Sequence, residues 1–497
     1  MTRKNREGIA RRAIAIAGAA ALALLATVGV GSAAQAADPS TSNITGTVGS
    51  LTIHKHAGDP GVAGDGKVIN SPSAISALGA GLDGVTFKID RVAFNGTPID
   101  LTTSTGWDQT KVSGNSLTPA DVTGSAAKAG YSVVAASTPT VTTAGGGLAT
   151  ASNLPYGLYL VTETSPGTNP VVSPAQPFLV SVPFPSSTDS TWIYDVNVYP
   201  KNKLNTTVPT KTVSAPDDVK LGSTVKWTVS TAVPALGAGD TYRKFVITDQ
   251  LDSRLGLTAV DVKLNGTALV RDTDYTLSPT TLPAANGANV IVTFTPAGLL
   301  KLDSTKTVTV DYSTKVNSLG DGKILNQAFV NTNDSVRETN KPQTNWGGLK
   351  IVKTSAKTPA QTLKGAEFTL HTSNTDASKV TSVGTLTTND AGEITIDGLW
   401  VGNDATVSKD YWVKETKAPA GYVLPTDSTV WTKITVTADA ITSVTPVTIK
   451  NTQQSVPNLP LTGSTGTMIF MAGGIALVAM AGGAALAASR RKQRAAN

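Results

Sequence analysis

The stretch GSLTIHK at residues 49–55 is matched by GGLKIVK at residues 347–353. In each copy a leucine, an isoleucine and a lysine occupy alternate positions, and side chains at alternate positions of a β-strand leave the same face. Each copy therefore predicts a strand whose apolar face ends in a lysine, Lys55 in the first and Lys353 in the second. The same pattern at two distant places indicates a duplicated β-domain.

Three further pairs of segments match in the same order and support the duplication. The pairs are LDGVTFKI (82–89) with LKGAEFTL (363–370), YLVTET (159–164) with YWVKET (411–416), and VYPKN (198–202) with VTIKN (447–451). Alternation places Glu163 and Glu415 on a face with apolar residues. Alternation through positions 198, 200 and 202 points Asn202 inward and Lys201 outward, and Asn451 is the equivalent of Asn202.

Each copy thus directs a lysine, a glutamate and an asparagine toward one hydrophobic core. Polar groups at strand ends can also reach water along their aliphatic stems, and for a single lysine that interpretation is favoured. Because the same trio recurs on apolar faces, we interpret it as a buried cluster in each copy.

Residues 203–345 lack these blocks but keep the alternation of strands. Apolar side chains recur at every second position, for example in residues 225–229, which predicts a second type of β-sandwich. This segment has a lysine near its start, Lys211, and an acid after an apolar strand, Asp249. Near its end, alternation in KILNQAFVN (323–331) favours Asn326 as core-facing, with Asn331 as the alternative.

The composition is that of a mostly β protein. The 497 residues include 46 glycines, 27 prolines and no cysteine, and valine, threonine and serine dominate long stretches. We predict an all-β fold of three tandem immunoglobulin-like β-sandwiches, at residues 48–202, 203–345 and 346–452. Without cysteine there are no disulfides, so a covalent crosslink within the chain must have another chemistry.

The two ends of the chain have the features of targeting segments. Residues 1–36 combine basic residues, an apolar run and small residues before a cleavage site between Ala36 and Ala37, as signal peptides do. Residues 453–497 contain an uncharged run, 467–488, that is long enough to span a bilayer as a helix, followed by RRKQR. These ends carry more positive charge than the +6 of the whole chain, so nucleic acid is not an expected partner.

The lysine, acid and asparagine of each cluster can react with one another. Burial disfavours the charged forms of an amine and a carboxyl, so the amine becomes a nucleophile and the carboxyl an acid. Attack on the amide gives an isopeptide bond and ammonia once, without cofactor or metal, and we do not expect a turnover enzyme. The predicted bonds, each with its assisting acid, are Lys55–Asn202 with Glu163, Lys211–Asn326 with Asp249, and Lys353–Asn451 with Glu415.

The apolar run is preceded by a short motif, LPLTG: Leu459, Pro460, Leu461, Thr462 and Gly463. Together with the helix and the basic tail, it resembles the LPXTG cell-wall sorting signal that sortase transpeptidases read. The resemblance implies cleavage between Thr462 and Gly463, with the Thr462 carbonyl held as a thioester on the sortase cysteine. It also implies a secreted, wall-anchored protein whose precursor is transiently in the membrane.

Two further motifs carry a family resemblance. WIYDVNVYPK (192–201) resembles the pilin motif W-x-x-x-V-x-V-Y-P-K of Gram-positive shaft pilins at every fixed position, and YWVKETKAPAGY (411–422) resembles their E-box. YLVTETSPG (159–167) is similar to a shortened E-box. The chain thus resembles the major pilins of actinobacterial fimbriae and of the corynebacterial type, which implies Cna-B-like N- and C-terminal domains and a Cna-A-like middle domain.

The resemblance implies that Lys201 attacks acyl-sortase formed on Thr462 of another subunit, which builds a covalent homopolymer that supports adhesion. The alternative is that Lys201 is an ordinary solvated lysine, as Lys450 is beside Asn451. The implied partners are a pilus-specific class C sortase, a housekeeping sortase, identical subunits, tip or minor pilins, peptidoglycan, and receptors on host or bacterial surfaces. The competing hypothesis is a monomeric wall-anchored adhesin whose β-domains form a stalk.

Overall fold

The computed structural model describes residues 43–59, 64–134, 140–376 and 378–455. Within these ranges the protein is built from β-strands with only short helices, and the predicted all-β class of tandem sandwiches is confirmed. No helix among the described residues is long and apolar enough to cross a bilayer. The predicted signal peptide, sorting motif and membrane span lie outside the described residues.

The chain divides into two compact units. The first contains residues up to Leu349 together with Thr395–Asp410 and Thr435–Thr445, and the second contains Lys350–Ile394, Tyr411–Ile434 and the residues from Pro446 onward. The predicted boundaries at residues 202 and 345 do not coincide with this division, because the first unit holds two sandwiches. The three-domain boundaries therefore stay a prediction.

The N-terminal sandwich is formed by sixteen strands and three short helices among the described residues. The strands are β1 (Val48–His54), β2 (His56–Ala57), β3 (Thr86–Phe94), β4 (Thr97–Pro98), β5 (Lys111–Val112), β6 (Asn115–Ser116), β7 (Tyr131–Val134), β8 (Thr140–Thr142), β9 (Leu148–Pro155), β10 (Gly157–Ser165), β11 (Val171–Ser173), β12 (Phe178–Val182), β13 (Phe184–Pro185), β14 (Trp192–Ile193), β15 (Asp195–Val198) and β16 (Lys201–Leu204). The helices are α1 (Pro72–Leu78), α2 (Ser104–Asp108) and α3 (Pro119–Val122).

In this sandwich the last strands return beside the first. β15 pairs parallel with β1, and after the break at Pro200 the strand β16 pairs parallel with β2. The pattern predicted a continuous strand through residue 202, whereas the structure has two strands because proline has no N–H to donate to a ladder. The inward and outward directions still hold, since Asn202 is fully buried and Lys201 is half-buried.

The middle sandwich consists of two five-stranded antiparallel sheets, β17-β18-β24-β20-β21 and β22-β23-β19-β26-β27. Its ten strands are β17 (Thr210–Val213), β18 (Thr224–Ala232), β19 (Phe245–Gln250), β20 (Leu255–Leu264), β21 (Thr267–Ala268), β22 (Tyr275–Ser278), β23 (Asn289–Phe294), β24 (Thr307–Val316), β26 (Ala328–Thr332) and β27 (Ser335–Glu338), with α4 at Pro296–Leu299. The short strand β25 (Lys323–Leu325) lies between β24 and β26 in the chain but belongs to a different sheet. Alternate residues of β18 and β23 meet between the sheets, where Trp227 and Val292 are fully buried.

The remaining strands repeat the topology of the N-terminal sandwich. They are β28 (Gln343–Ser355), β29 (Glu367–His371), β30 (Val380–Thr387), β31 (Glu393–Asn403), β32 (Ser408–Lys417), β33 (Trp431–Thr437) and β34 (Val447–Asn451). One sheet has the order β25-β28-β31 with β34 beside β28, and the other has the order β30-β29-β32-β33. β34 lies parallel to β28, with Lys353 opposite Ile449, so the last strand again returns to the first.

Replacing Val292 by alanine should destabilise the middle sandwich. The change removes two methyl groups from a fully buried position and leaves a cavity, so the free energy of unfolding should fall by about 2 kcal/mol. Val208 is 73% exposed, and Val208→Ala is the matched control, with an expected change below about 0.5 kcal/mol. Denaturant titration followed by tryptophan fluorescence measures both, and equal losses would contradict the packing described here.

Candidate functional site

The N-terminal sandwich contains the first predicted trio in one buried cluster. Lys55 follows β1, Glu163 lies on β10 and Asn202 on β16, and the exposed fractions of Lys55 and Asn202 are both 0%. The Lys55 Nζ atom lies 2.5 Å from Asn202 Oδ1 and 2.9 Å from Glu163 Oε2. The Asn202 Nδ2 atom donates to Glu163 Oε1 at 2.7 Å. One carboxyl group therefore bridges the amine and the amide.

The C-terminal trio has the same arrangement, within the second unit. The Lys353 Nζ atom lies 2.8 Å from Glu415 Oε2 and donates to Asn451 Oδ1, and Asn451 Nδ2 donates to Glu415 Oε1 at 2.7 Å. None of the three residues is more than 2% exposed. The two oxygens of Glu415 thus contact the two groups that would have to react.

The middle cluster is less complete. Lys211 on β17 and Asp249 on β19 are buried, with Lys211 Nζ 2.5 Å from Asp249 Oδ2. Asn326 is buried, and Ala328, two residues along, is the register partner of Asp249. Burial raises the pKa of Asp249 and the Asn326 side chain acts on it in the opposite direction, but among the described residues no hydrogen bond of normal geometry is formed by Asn326 Nδ2, Asn326 Oδ1 or Asp249 Oδ1. Among the described residues, the middle cluster therefore lacks the hydrogen-bonded carboxyl bridge between amine and amide that the other two clusters have.

The alternative asparagine lies on the other side of the strand. Asn331 is on β26 opposite Val246, and it is only partly buried. Since Val330 and Ala328 are the core-facing residues of β26, the burial of Asn326 favours it over Asn331 as the partner of Lys211.

Each buried amine also rests against aromatic rings that the sequence interpretation did not single out. Lys55 Nζ lies 5.5 Å from the centre of the Phe87 ring, and Lys353 Nζ lies 5.4 Å from that of Phe368. Lys211 Nζ lies 5.7 Å from the Trp227 ring and 5.6 Å from the Tyr312 ring. A signal for two of them was available, because Phe87 and Phe368 occupy the same place in the repeated block LDGVTFKI and LKGAEFTL.

Burial shifts the three lysines and Asp249 toward their neutral forms. Burial lowers the pKa of Lys55 and that of Lys211 to about 8, although the neighbouring carboxylates act in the opposite direction. Burial likewise lowers the pKa of Lys353 and raises the pKa of Asp249. A neutral amine and a protonated carboxyl are the forms that a reaction with an amide requires.

Lys201 has a different environment. It lies on β16 next to Asn202, and its Nζ atom donates to the carbonyl oxygen of Ala77, the penultimate residue of α1, at 3.3 Å. It forms no ion pair within the described part of the chain, whereas Lys203, two residues along, lies 2.7 Å from Asp59. Lys201 is therefore more exposed to solvent than the three buried lysines.

Comparison with known families covers most of the chain. Residues 46–203 match the family described as Gram-positive pilin subunit D1, N-terminal domain, and residues 206–345 match the Sgo0707 N2 domain. Residues 347–453 match the prealbumin-like fold domain named SpaA, and residues 451–493 match the LPXTG cell wall anchor motif.

Relatives of similar length are fimbrial proteins. The chain is 34% identical to the fimbrial subunit type 2 of Actinomyces naeslundii, over 99% of this chain and 98% of that one, and 28% identical to the fimbrial subunit type 1 of Actinomyces viscosus, over 97% and 98%. The major pilin SpaD of Corynebacterium diphtheriae is 31% identical, with a TM-score of 0.59 over 82% of this chain and 98% of that one. The major pilin SpaA of the same species shares the fold, with a TM-score of 0.56 at 23% identity over 82% of this chain and all of that one.

The fold and the anchor motif define a class of protein, the tandem β-sandwich subunits that are attached to the cell wall of Gram-positive bacteria. Within that class, the chain belongs to the Gram-positive fimbrial pilins, and it is a shaft subunit of a sortase-assembled surface pilus. The predicted family and function are confirmed. The family consists of structural subunits, and sortase, peptidoglycan and other pilins are its partners.

Proposed function

We propose that this subunit is joined to the next through Lys201 and Thr462, and that three intramolecular isopeptide bonds reinforce it. The observation that carries the proposal is the pair of buried clusters in which one carboxyl bridges a lysine amine and an asparagine amide. The bonds are Lys55–Asn202, Lys211–Asn326 and Lys353–Asn451. In the middle cluster we propose the same bridge from Asp249 to the Asn326 amide, since the Asn326 side chain acts on the Asp249 carboxyl and opposes the rise in its pKa that burial causes.

The intramolecular reaction needs only the groups of each cluster. The neutral amine attacks the amide carbon, a carbon–nitrogen bond forms, and the carbonyl oxygen takes up the electron pair. The bridging carboxyl moves the amine proton to the departing nitrogen, the old carbon–nitrogen bond breaks, and ammonia leaves. Each cluster reacts only once and its groups are not regenerated, so we class the chain as a structural protein and not as a turnover enzyme.

In the predicted domains 48–202 and 346–452 the proposed crosslinks connect the first strand, or the residue that follows it, with the last strand. In the predicted domain 203–345 the crosslink connects the first strand, β17, with the connection before β26. A tensile load along the shaft then passes through a covalent bond without unzipping the sheets. By analogy with disulfides, closure of a loop of about 100 residues contributes up to about 4–5 kcal/mol in the chain-entropy model.

The intersubunit step would use the accessible amine. Sortase cleaves after Thr462 and holds its carbonyl as a thioester; Lys201 of another subunit attacks, the carbon–sulfur bond breaks, and the cysteine regains a proton. We assign polymerisation to a class C sortase and wall attachment to a housekeeping sortase, with tip or minor pilins and surface receptors as further partners. The signal peptide directs export and is removed by cleavage between Ala36 and Ala37, and residues 467–488 hold the exported precursor briefly in the membrane.

Loss of Lys201 should abolish polymerisation. In a strain that expresses the pilus sortase, the wild-type chain is expected to give a ladder of multimers that resist SDS, and Lys201→Ala should give a single band. Lys203→Ala is the matched control, because Lys203 lies on the same strand but is paired with Asp59, and its ladder should persist. A ladder that survives Lys201→Ala would contradict the linkage, and a single band from the wild type would favour the monomeric adhesin.

The intramolecular bonds should be countable by intact mass. The full chain from a sortase-deficient strain should have lost three molecules of ammonia, one for each bond. Glu415→Gln keeps the shape of the side chain but cannot relay a proton, so only two should be lost. The same change at Glu393, which is exposed on β31, should leave three losses, and a wild-type mass without any loss would refute the crosslinks.

The middle crosslink should form fastest at an intermediate pH. The reactive pair holds one proton, on Asp249, while Lys211 is neutral. Raising the pH above the pKa of Lys211, about 8, removes the one proton that the pair shares, so Asp249 is ionised and cannot act as an acid. Lowering the pH below the raised pKa of Asp249 adds a second proton, so Lys211 is charged and cannot attack. The rate therefore falls on both sides. Refolding of denatured, uncrosslinked chain across this range, followed by peptide mapping, measures the rate.

Asp249→Asn is the control for this pH profile, and it should give no Lys211–Asn326 peptide at any pH. If the rate of crosslink formation in the wild type keeps rising above the pKa of Lys211, about 8, a protonated carboxyl is not required.

A further inference from the structure

The amide oxygen of Asn202 accepts two hydrogen bonds. One comes from Lys55 Nζ at 2.5 Å, and the other comes from the backbone N–H of Ala175 at 2.6 Å. Ala175 lies in the short connection between β11 and β12, and β11 pairs with β16, the strand that carries Asn202. A main-chain donor is therefore aimed at the oxygen of the amide that would be attacked.

This second donor distinguishes the N-terminal cluster from the other two. Among the described residues, Asn451 Oδ1 accepts a hydrogen bond from Lys353 alone, and Asn326 Oδ1 accepts none. The difference matters because the lysine has to lose a proton before it can attack, and its nitrogen then becomes bonded to the amide carbon. It cannot also stabilise the negative charge on the amide oxygen, so in the N-terminal cluster the Ala175 N–H is the donor that remains.

We propose that the Ala175 backbone N–H is an oxyanion donor for formation of the Lys55–Asn202 bond; this inference rests on the proposed function. As Lys55 Nζ bonds to Asn202 Cγ, the electron pair of the carbonyl moves to Oδ1, where the N–H stabilises it. Glu163 transfers the proton from Nζ to Nδ2, the Cγ–Nδ2 bond breaks, the carbonyl reforms and ammonia leaves. Preorganised donors at such an oxygen commonly account for a factor of about 100 to 1000 in rate.

Two prolines and a hydrogen bond restrict the conformation of the connection that carries the Ala175 N–H. Ala175 is flanked by Pro174 and, after one residue, by Pro177, and each proline restricts its own φ angle and the conformation of the residue before it. Ser173, the last residue of β11, is buried and its hydroxyl accepts the Gly237 N–H at 3.0 Å. A fixed donor needs no reorganisation when charge develops on the oxygen.

Removal of the Ala175 N–H should slow this bond alone. In Ala175→Pro, formation of the Lys55–Asn202 bond should slow by about 100-fold, measured in the full chain by peptide mapping after a pulse of synthesis in a sortase-deficient strain. Ala175→Gly keeps the N–H and should react at the wild-type rate. Incorporation of lactic acid at position 175 exchanges only N–H for oxygen and should reproduce the slow rate if proline distorts the connection.

Two internal measurements separate a chemical role from a structural one. The Lys353–Asn451 bond in the same molecules should form at its normal rate. In a Lys55→Ala background, where no N-terminal bond can form, the lactic acid change should alter the unfolding midpoint far less than in the wild-type chain. A wild-type rate for the lactic acid chain would overturn the proposal, whereas a wild-type chain that never forms the Lys55–Asn202 bond would overturn the proposed crosslink itself.

Discussion

The structure depends on the burial of three lysine amines. Lys55, Lys211 and Lys353 are each no more than 1% exposed, and an ionised amine in such a place costs several kcal/mol unless a partner compensates for it. A carboxyl group lies beside each amine, yet buried ion pairs are often no more stabilising than apolar residues of the same volume. Folding stability alone therefore does not account for these groups, whereas the proposed reaction, which converts amine and amide into a neutral crosslink, would.

The same constraint explains where the reacting groups lie in the fold. A lysine at the first strand and an asparagine at the last can meet only if the last strand returns beside the first. That return is the parallel pairing of β1 with β15 and of β28 with β34. Parallel neighbours at the two ends of a sandwich would place the proposed crosslink where the chain enters and leaves it, the two points at which a tensile load would act.

Strand alternation was sufficient to predict the all-β class and the inward direction of Lys55, Glu163 and Asn202, because side chains at alternate positions share a face. It could not predict the interruption at Pro200, since the directions on either side of the proline agree with a continuous strand. Strand alternation could not predict the position of the Ala175 N–H either. A backbone donor in a connection has no side-chain signature, and its position depends on which strand the connection follows.

The middle sandwich buries a lysine, an acid and an asparagine within a different topology. There the acid is an aspartate, one methylene shorter than glutamate, and Asp249 is carried by β19 in a sheet that faces the strand of Lys211. The asparagine, Asn326, lies in the short connection before β26, the strand next to β19. Two unlike sandwiches thus bring an amine, an acid and an amide into a dry core, and what they share is the order along the chain. With an acid between them, a lysine near the start and an asparagine near the end would let the proposed bond close either kind of sandwich.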